Sequence, residues 1–381
     1  MNDEQSYFAR QRLLPSIDID RLRASTVMVC GLGNIGGPVA LELGRAGIGR
    51  LTLVDKDVVA AENHSRGIFR PRDIGKTKVA AAAERLAEDA PYTHVTPLCA
   101  DLRFQVGEGI FSAYDAIVIV TDNWSSRMHA NRWAHALPGR VKVVVSGGMT
   151  GISWTVVSSV PGSGLGCAQC PHGPDIARAH EEGGCGVVVR EGVRRADPST
   201  SFIGVAVAAE IVHEVVSALG GKGPRFAGKM VSYDDGRNAW SVHTIMPDPE
   251  CTGHRRLAEY EEYMAVPVAD YQVRDLVALA AREMRVELVG VTLASEWELL
   301  SALVCTVCRH RTAVHRPLLL SAGIAATTCP RCGSTALDAT THTVLEGGGK
   351  RLSELGIAVG GSVLAYAADR QVRILQLEEG R

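Results

Sequence analysis

Between Val27 and Lys78 the chain carries a pattern that few folds accommodate. An apolar run, Thr26 to Cys30, breaks into Gly31-Leu-Gly33-Asn34-Ile-Gly36-Gly and then into a helix-like segment, Pro38 to Ala46. Gly31, Gly33 and Gly36 are spaced G-x-G-x-x-G, which lets backbone amides and a helix N-terminus approach a polyphosphate. A second strand pattern, Leu51 to Asp55, follows. Its last residue, Asp55, stands about 20 residues beyond the glycines, where an acidic side chain accepts hydrogen bonds from ribose hydroxyls. The pattern means a nucleotide. It does not say which one.

The rhythm continues after this unit. Strand patterns recur at Val95–Leu98, Ala116–Thr121 and Lys142–Ser146, with helical patterns at Ile35–Ala46, Thr77–Ala87 and Asn123–Ala136. Short apolar strands alternating with helices predict an α/β fold, a doubly wound and mostly parallel sheet with helices on both faces. Beyond Gly147 the character changes. Trp154–Val160, Val231–Tyr233 and Trp240–Ile245 read as antiparallel strands, Pro198–Gly220 as an apolar helix, and 171–200 as a Gly-rich, charged loop. The expected organisation is a first domain over 1–255, a linker over 256–270 and a second, smaller domain over 271–381.

The chain has 381 residues, a formal charge of −2 and 10 cysteines. No strong basic field argues for nucleic acid as a partner. The N-terminal residues Met1 to Arg12 are polar and mixed in charge, without the apolar core of a signal peptide. No run is read as the roughly 18 apolar residues of a membrane span. The expectation is a soluble, cytoplasmic protein.

The cysteines are not scattered. Cys167 and Cys170 form one C-x-x-C, Cys305 and Cys308 a second, Cys329 and Cys332 a third, and Cys251 precedes His254 as C-x-x-H. Such spacing lets two ligands from one tight turn reach a single tetrahedral ion. The last four, with 20 residues between the pairs, match a zinc ribbon. Four thiolates leave no open position, so that site reads as structural.

Further motifs follow in order: Arg10-Gln-Arg-Leu-Leu near the start, Asp57, Asn63-His-Ser-Arg66, Gly75-Lys-Thr-Lys78, and Thr121-Asp122-Asn123-Trp-Ser-Ser-Arg127. Together with the glycine loop and Asp55, this set resembles the ThiF/MoeB-like, ubiquitin-activating superfamily of ATP-dependent carboxylate-adenylating enzymes, over residues 7 to about 254. The resemblance implies a Rossmann-like domain of ThiF/MoeB type with a small zinc-ribbon, β-rich domain appended. It implies ATP and Mg²⁺ at Gly31, Gly33, Asn34, Gly36, Asp55, Asp57, Asn63, Arg66, Lys78 and Asp122, with Asp122 as the Mg²⁺-binding and catalytic aspartate. It implies a homodimer in which Arg10 reaches the partner's site. It also implies that Cys167, Cys170, Cys251 and His254 close one zinc site, the His being a departure from the family's four cysteines.

Chemistry points the same way. A carboxylate attacking the α-phosphate of ATP brings one anion to another, so positioning and charge neutralisation supply most of the catalysis. Arg66 and Lys78 are suitable cations, and a carboxylate such as Asp122 can hold Mg²⁺. Taken singly, Arg66 or Lys78 would pass as solvated surface charge, and Asp122-Asn123 as a helix cap. Cys185, in Gly183-Gly-Cys-Gly186, resembles in position a thiol that some relatives use, although the Val-Val-Val-Arg that follows departs from them; it reads equally well as a loop cysteine.

The second domain is the less familiar part. Arg351 to Tyr366 resembles the end of a ubiquitin-like β-grasp, but the chain ends Glu378-Glu-Gly-Arg381 and not in Gly-Gly, so a carrier protein is not expected. No rhodanese-like motif is visible. The expected substrate is the C-terminal glycine of a small ubiquitin-like or sulfur-carrier protein, prepared for thiol or sulfur transfer. A small acid or a peptide C-terminus remains open, as do a nicotinamide oxidoreductase and a non-catalytic adaptor.

Overall fold

The computed structural model describes residues 3–137, 139–172, 188–190, 193–195, 199–251, 253–259, 261–317, 328–346, 348–367 and 370–377. Contacts divide the chain into two compact units. Met1–Arg103 with Phe111–Arg256 forms the first, and Phe104–Ile110 with Leu257–Arg381 the second.

In the first unit the helices are α1 (Asp3–Tyr7), α2 (Ile19–Ala24), α3 (Gly36–Ala46), α4 (Ala61–His64), α5 (Lys78–Asp89), α6 (Trp124–Ala136) and α7 (Ser201–Leu219). The strands are β1 (Thr26–Cys30), β2 (Arg50–Val54), β3 (His94–Leu98), β4 (Ala116–Ile119), β5 (Val143–Thr150), β6 (Ser153–Ser159), β7 (Val188–Arg190), β8 (Val193–Arg195), β9 (Lys229–Asp234) and β10 (Ala239–Thr244). Eight of them form one sheet in the order β10-β9-β6-β5-β4-β1-β2-β3. Pairing is parallel from β3 through β2, β1 and β4 to β5, and antiparallel beyond. Strands β1 and β4 lie next to each other, with Cys30 opposite Ile119. The chain runs outward from β1 to β3 and then returns to β4, so β1 and β4 flank the switch point where doubly wound sheets bind ligands.

Local chemistry sets these boundaries. Apart from Thr26 at the start of β1, strands β1 and β4 are apolar and buried, as expected for parallel strands covered on both faces. Helix α3 stops at Gly47, whose φ of 104° is the left-handed conformation of a helix C-cap. Thr77 caps α5 through the Ala80 amide, and Asn123 caps α6 through the Ser126 amide at 2.7 Å. Helix α7 buries Ile203, Val207, Ile211 and Val215 in the core. At 19 residues it is long and apolar enough to cross a bilayer by length and composition alone, but most of it is buried inside the unit, and Glu210, His213 and Glu214 interrupt its apolar run. Its Glu214 is fully buried and accepts the amides of Arg225 and Phe226 at 3.0 Å, which fastens the following loop. Within the stretch 171–200, read as a loop, β7 and β8 pair antiparallel.

The second unit contains β11 (Tyr263–Pro267), α8 (Val273–Met284), β12 (Thr292–Cys305), β13 (Arg311–Pro317), β14 (Leu337–Val344), β15 (Val363–Ala367) and β16 (Arg370–Leu377). Residues 256–270, read as a linker, thus include a strand. The sheet order is β11-β16-β15-β12-β13, with β14 also on β12, and β11 runs parallel to β16. Leu276 and Ala280 of α8 pack with Leu293, Leu299, Val363 and Ile374. The segment Phe104–Ile110 is knitted into this unit. A side chain on Gly107 would strike the backbone of Gly360, and one on Gly109 the carbonyl of Gln376. Glu108 is buried and accepts the Ser362 amide at 2.7 Å. Arg373 is buried beside it, paired with Glu261 and Glu296 at 2.9 Å each.

Candidate nucleotide cleft and metal centres

A cleft of about 410 Å³ opens at the carboxyl ends of β1, β2 and β4 in the first unit. Of the residues expected from the sequence, Gly31, Gly33, Asn34, Asp55, Asp57, Asn63, Arg66, Lys78 and Asp122 line it. Gly36 does not line it but closes the loop behind: a side chain there would overlap the Gly31 carbonyl. Gly31 itself has φ 94°, and a Cβ would lie 2.9 Å from the Val120 carbonyl oxygen, so β1 turns into the loop hard against the end of β4. The cleft therefore has the N-terminal end of α3 on one side and the loop carrying Asp122 on the other.

Asp55 follows β2 and organises the floor. Its carboxylate accepts the Leu32 amide at 2.7 Å and the Asp57 amide at 2.8 Å. Burial pushes its pKa above the ordinary carboxylate value, opposed by the charge of Lys78 and by these two amides. Lys78 is buried and donates to Asp57 at 2.8 Å. Arg66 is half-buried and donates to the Ser199 hydroxyl at 2.7 Å and to the Glu62 carbonyl at 3.3 Å. Asp122 is exposed and, among the described residues, takes a long contact of 3.4 Å from the Asn123 amide group. Asn34 donates to the Thr200 carbonyl at 2.9 Å and to the Met149 sulfur at 3.3 Å. Its Oδ1 and the Thr121 hydroxyl are buried and have no hydrogen-bond partner among the described residues. Asn34 Oδ1 faces Gly204 of α7, whereas the Thr121 hydroxyl belongs to a residue lining the cleft, where a polar ligand could satisfy it.

Two groups of residues could each hold a metal ion. The ligand atoms of Cys167, Cys170, Cys251 and His254 lie within 4.8 Å of one another, as do those of Cys305, Cys308, Cys329 and Cys332. In the first group Cys167 Sγ is 3.9 Å from Cys251 Sγ and 3.8 Å from Cys170 Sγ, and Cys170 Sγ is 3.2 Å from His254 Nδ1. In the second, Cys305–Cys332 and Cys308–Cys329 are 3.6 Å apart. A tetrahedral zinc with Zn–S of about 2.3 Å separates its sulfurs by about 3.8 Å. Backbone and side-chain N–H groups point at the sulfurs, among them Asn131 Nδ2 on Cys167 at 3.3 Å and the Gly253 amide on Cys251 at 3.4 Å. Such donors stabilise thiolate ligands from outside the metal. Both donor sets fit zinc.

With the cleft and the metal centres in view, the ThiF family model matches residues 8–253. The chain belongs to the ThiF family. Among curated relatives it is 37% identical over 131 residues to "Adenylyltransferase and sulfurtransferase uba4" of Aspergillus fumigatus, which is 33% of this chain and 27% of that protein. The chain therefore spans little more than a quarter of that relative's length. It is 26% identical over 297 residues to "Probable adenylyltransferase/sulfurtransferase MoeZ" of Mycobacterium tuberculosis, 74% of this chain and 71% of that protein. Among solved structures, E. coli MccB with succinimide shares the fold with a TM-score of 0.54 and 19% identity, over 64% of this chain and 73% of that one.

The cleft is also lined by residues to which the sequence assigned no role, Arg127 among them although it closes the Thr121–Arg127 motif. Lys56, Asp101, Arg127 and Ser199 line it. Asp101 is buried and receives Lys56 at 2.9 Å and Arg103 at 3.2 Å. Burial alone would raise its carboxyl, but hydrogen bonds from Arg103 and Lys56 hold it below the usual range. Arg10 is exposed at the start of the 3-10 turn Gln11–Leu13 and does not line the cleft of its own chain. Cys185 lies outside the described residues.

Proposed function

We propose that this protein activates a carboxylate by adenylation. A carboxylate oxygen attacks the α-phosphorus of ATP, the bond from that phosphorus to the bridging oxygen breaks, and pyrophosphate leaves. The observation that carries the reading is the convergence of Lys78, Arg66 and Asp122 with the glycine loop on one cleft. In that cleft the N-terminus of α3 and its amides face the phosphates, and Asp55 takes the ribose hydroxyls. Lys78 leaves Asp57, and Arg66 leaves Ser199, to neutralise the triphosphate and the departing pyrophosphate. Asp122 would hold Mg²⁺, which would supply charge neutralisation at the phosphates. The buried Thr121 hydroxyl, without a hydrogen-bond partner among the described residues, favours a polar occupant. Zinc in the two cysteine centres has a structural role.

The acceptor we propose is the C-terminal glycine of a small ubiquitin-like or sulfur-carrier protein, whose acyl-adenylate then passes to a thiol or sulfur donor. The names of the uba4 and MoeZ relatives support this choice. A peptide C-terminus is the second reading, favoured by the shared fold with MccB, which was solved with MccA. We further propose a homodimer in which Arg10 completes the neighbouring cleft, and a cytoplasmic location.

ATP–pyrophosphate exchange tests the reading, screened against carrier proteins, peptides and free acids. Exchange that depends on the carboxylate, and that Asp122→Ala abolishes while the fold persists, is the expected result. Full exchange in Asp122→Ala, or binding of NAD without any exchange, would overturn it.

A further inference from the structure

Arg127 sits in the first turn of α6, five residues after Asp122, and lines the same cleft. Its Nε donates to the Thr121 carbonyl at 2.7 Å, and its Nη1 to the Gly147 carbonyl at 2.8 Å and the Ser146 hydroxyl at 3.3 Å. Thr121 is the peptide immediately before Asp122, just beyond the end of β4. Ser146 and Gly147 lie within the neighbouring strand β5, which continues into Gly148, Met149 and Thr150 on the cleft wall. The Ser146 hydroxyl in turn donates to the Ile119 carbonyl at 3.2 Å, so the network returns to β4. Gly148 lies against the guanidinium, where a Cβ would be 3.7 Å from Nη1.

The Thr121 carbonyl lies two residues beyond the end of β4, and the Gly147 carbonyl lies within β5, one residue past the last rung of the β4–β5 ladder. The last paired residues are Ile119 and Ser146. Beyond that rung β5 stays paired with β6, and no rung of the β4–β5 ladder sets its separation from the segment that carries Asp122. A planar fork with donors in fixed directions does so, and a lysine ammonium does so less well.

Building on the adenylation reading, we infer that Arg127 is a positioning residue for Asp122. It fixes the peptide that carries the catalytic aspartate to the β5 wall of the cleft. Asn123 caps α6 from the other side, so the Asp122 loop is held at both of its ends. An exposed carboxylate that must meet a metal and a reacting phosphate within a fraction of an ångström depends on such supports. The effect belongs to the chemical step more than to nucleotide capture, because the phosphates are held by the glycine loop, Lys78 and Arg66.

The test compares the full-length wild type with R127A, R127K and D122N. Pyrophosphate-exchange kcat and KM are measured with the acceptor that the screen identifies, and ATP affinity is measured by titration calorimetry. We expect R127A to lower kcat by about 10- to 100-fold with ATP affinity kept within about threefold, and R127K to recover part of the loss. In the D122N background R127A should have little further effect, since a support has nothing left to aim. Equal fold-losses in both backgrounds would overturn the inference, as would wild-type kcat in R127A and R127K. If R127A does not fold, R127K carries the same comparison. Absence of carboxylate-dependent exchange in the wild type would instead overturn the adenylation reading and the inference with it.

Discussion

Gly36 and Gly33 belong to one motif but are held by different forces. A side chain at Gly36 would collide with the Gly31 carbonyl, which is backbone and cannot swing aside. Gly33 meets nothing within 4 Å, and its φ is not positive. We expect Gly36→Ala to cost about 1–3 kcal/mol of stability, in the range of overpacked sites, and to weaken ATP binding at least tenfold. Gly33→Ala should leave the melting temperature unchanged. Differential scanning calorimetry with and without ATP separates the two, and equal melting temperatures would sink the distinction. Spacing of this local kind is legible from sequence, because a loop between a strand and a helix leaves the same imprint wherever it occurs. The contacts that complete the cleft leave none. Ser199 meets Arg66 across 133 positions, and Lys56 meets Asp101 across 45. Each of these residues, read alone, is an ordinary polar side chain.

At the scale of elements, the apolar period located the sheet well and its ends less well. Strand β5 was read as stopping at Ser146 but runs to Thr150, because its later residues pair with β6 in a turn that glycines obscure. Helix α8 was not read at all, although its buried stripe of Val273, Leu276, Ala280 and Met284 follows helical spacing. The cysteine pairs were legible because metal ligation demands short, fixed spacing. Strand β12 joins the core to the cysteine cluster: it buries Leu293, Leu299 and Leu300 and ends on Cys305. We expect Cys305→Ser to lower the zinc content from about two to about one per chain, as a ligand is lost from one closed site. Hydrogen exchange should then rise along β12 to β14, which depend on that knuckle, and not along β1 to β5. Unchanged zinc content would remove Cys305 from the ligand set.

Over the whole molecule the chain leaves the first unit at Arg103, contributes Phe104–Ile110 to the second, and returns at Phe111. Seven residues are too few for a periodic signal, and Glu108 meets Ser362 across 254 positions, so nothing in the sequence announced the excursion. What holds the segment is a buried polar cluster with a pH dependence that can be worked out. Burial pushes the Glu108 carboxyl from its ordinary value up to about 7; Glu296 adds to the rise, while the Ser362 amide and Arg373 oppose it. Between about pH 4.5 and 7 the folded unit keeps a proton on Glu108 that the unfolded chain has lost. Stability of the second unit therefore falls as pH rises through that window and levels off above it, by an amount on the order of 3 kcal/mol. Glu108→Gln keeps an oxygen acceptor for the Ser362 amide and cannot ionise. We expect it to flatten the profile and to be more stable than the wild type above pH 7. Hydrogen exchange of β15 and β16, measured from pH 5 to 8 with intrinsic rates divided out, reads this unit directly. Parallel wild-type and E108Q profiles would mean that Glu108 is already charged in the folded protein, held there by Arg373.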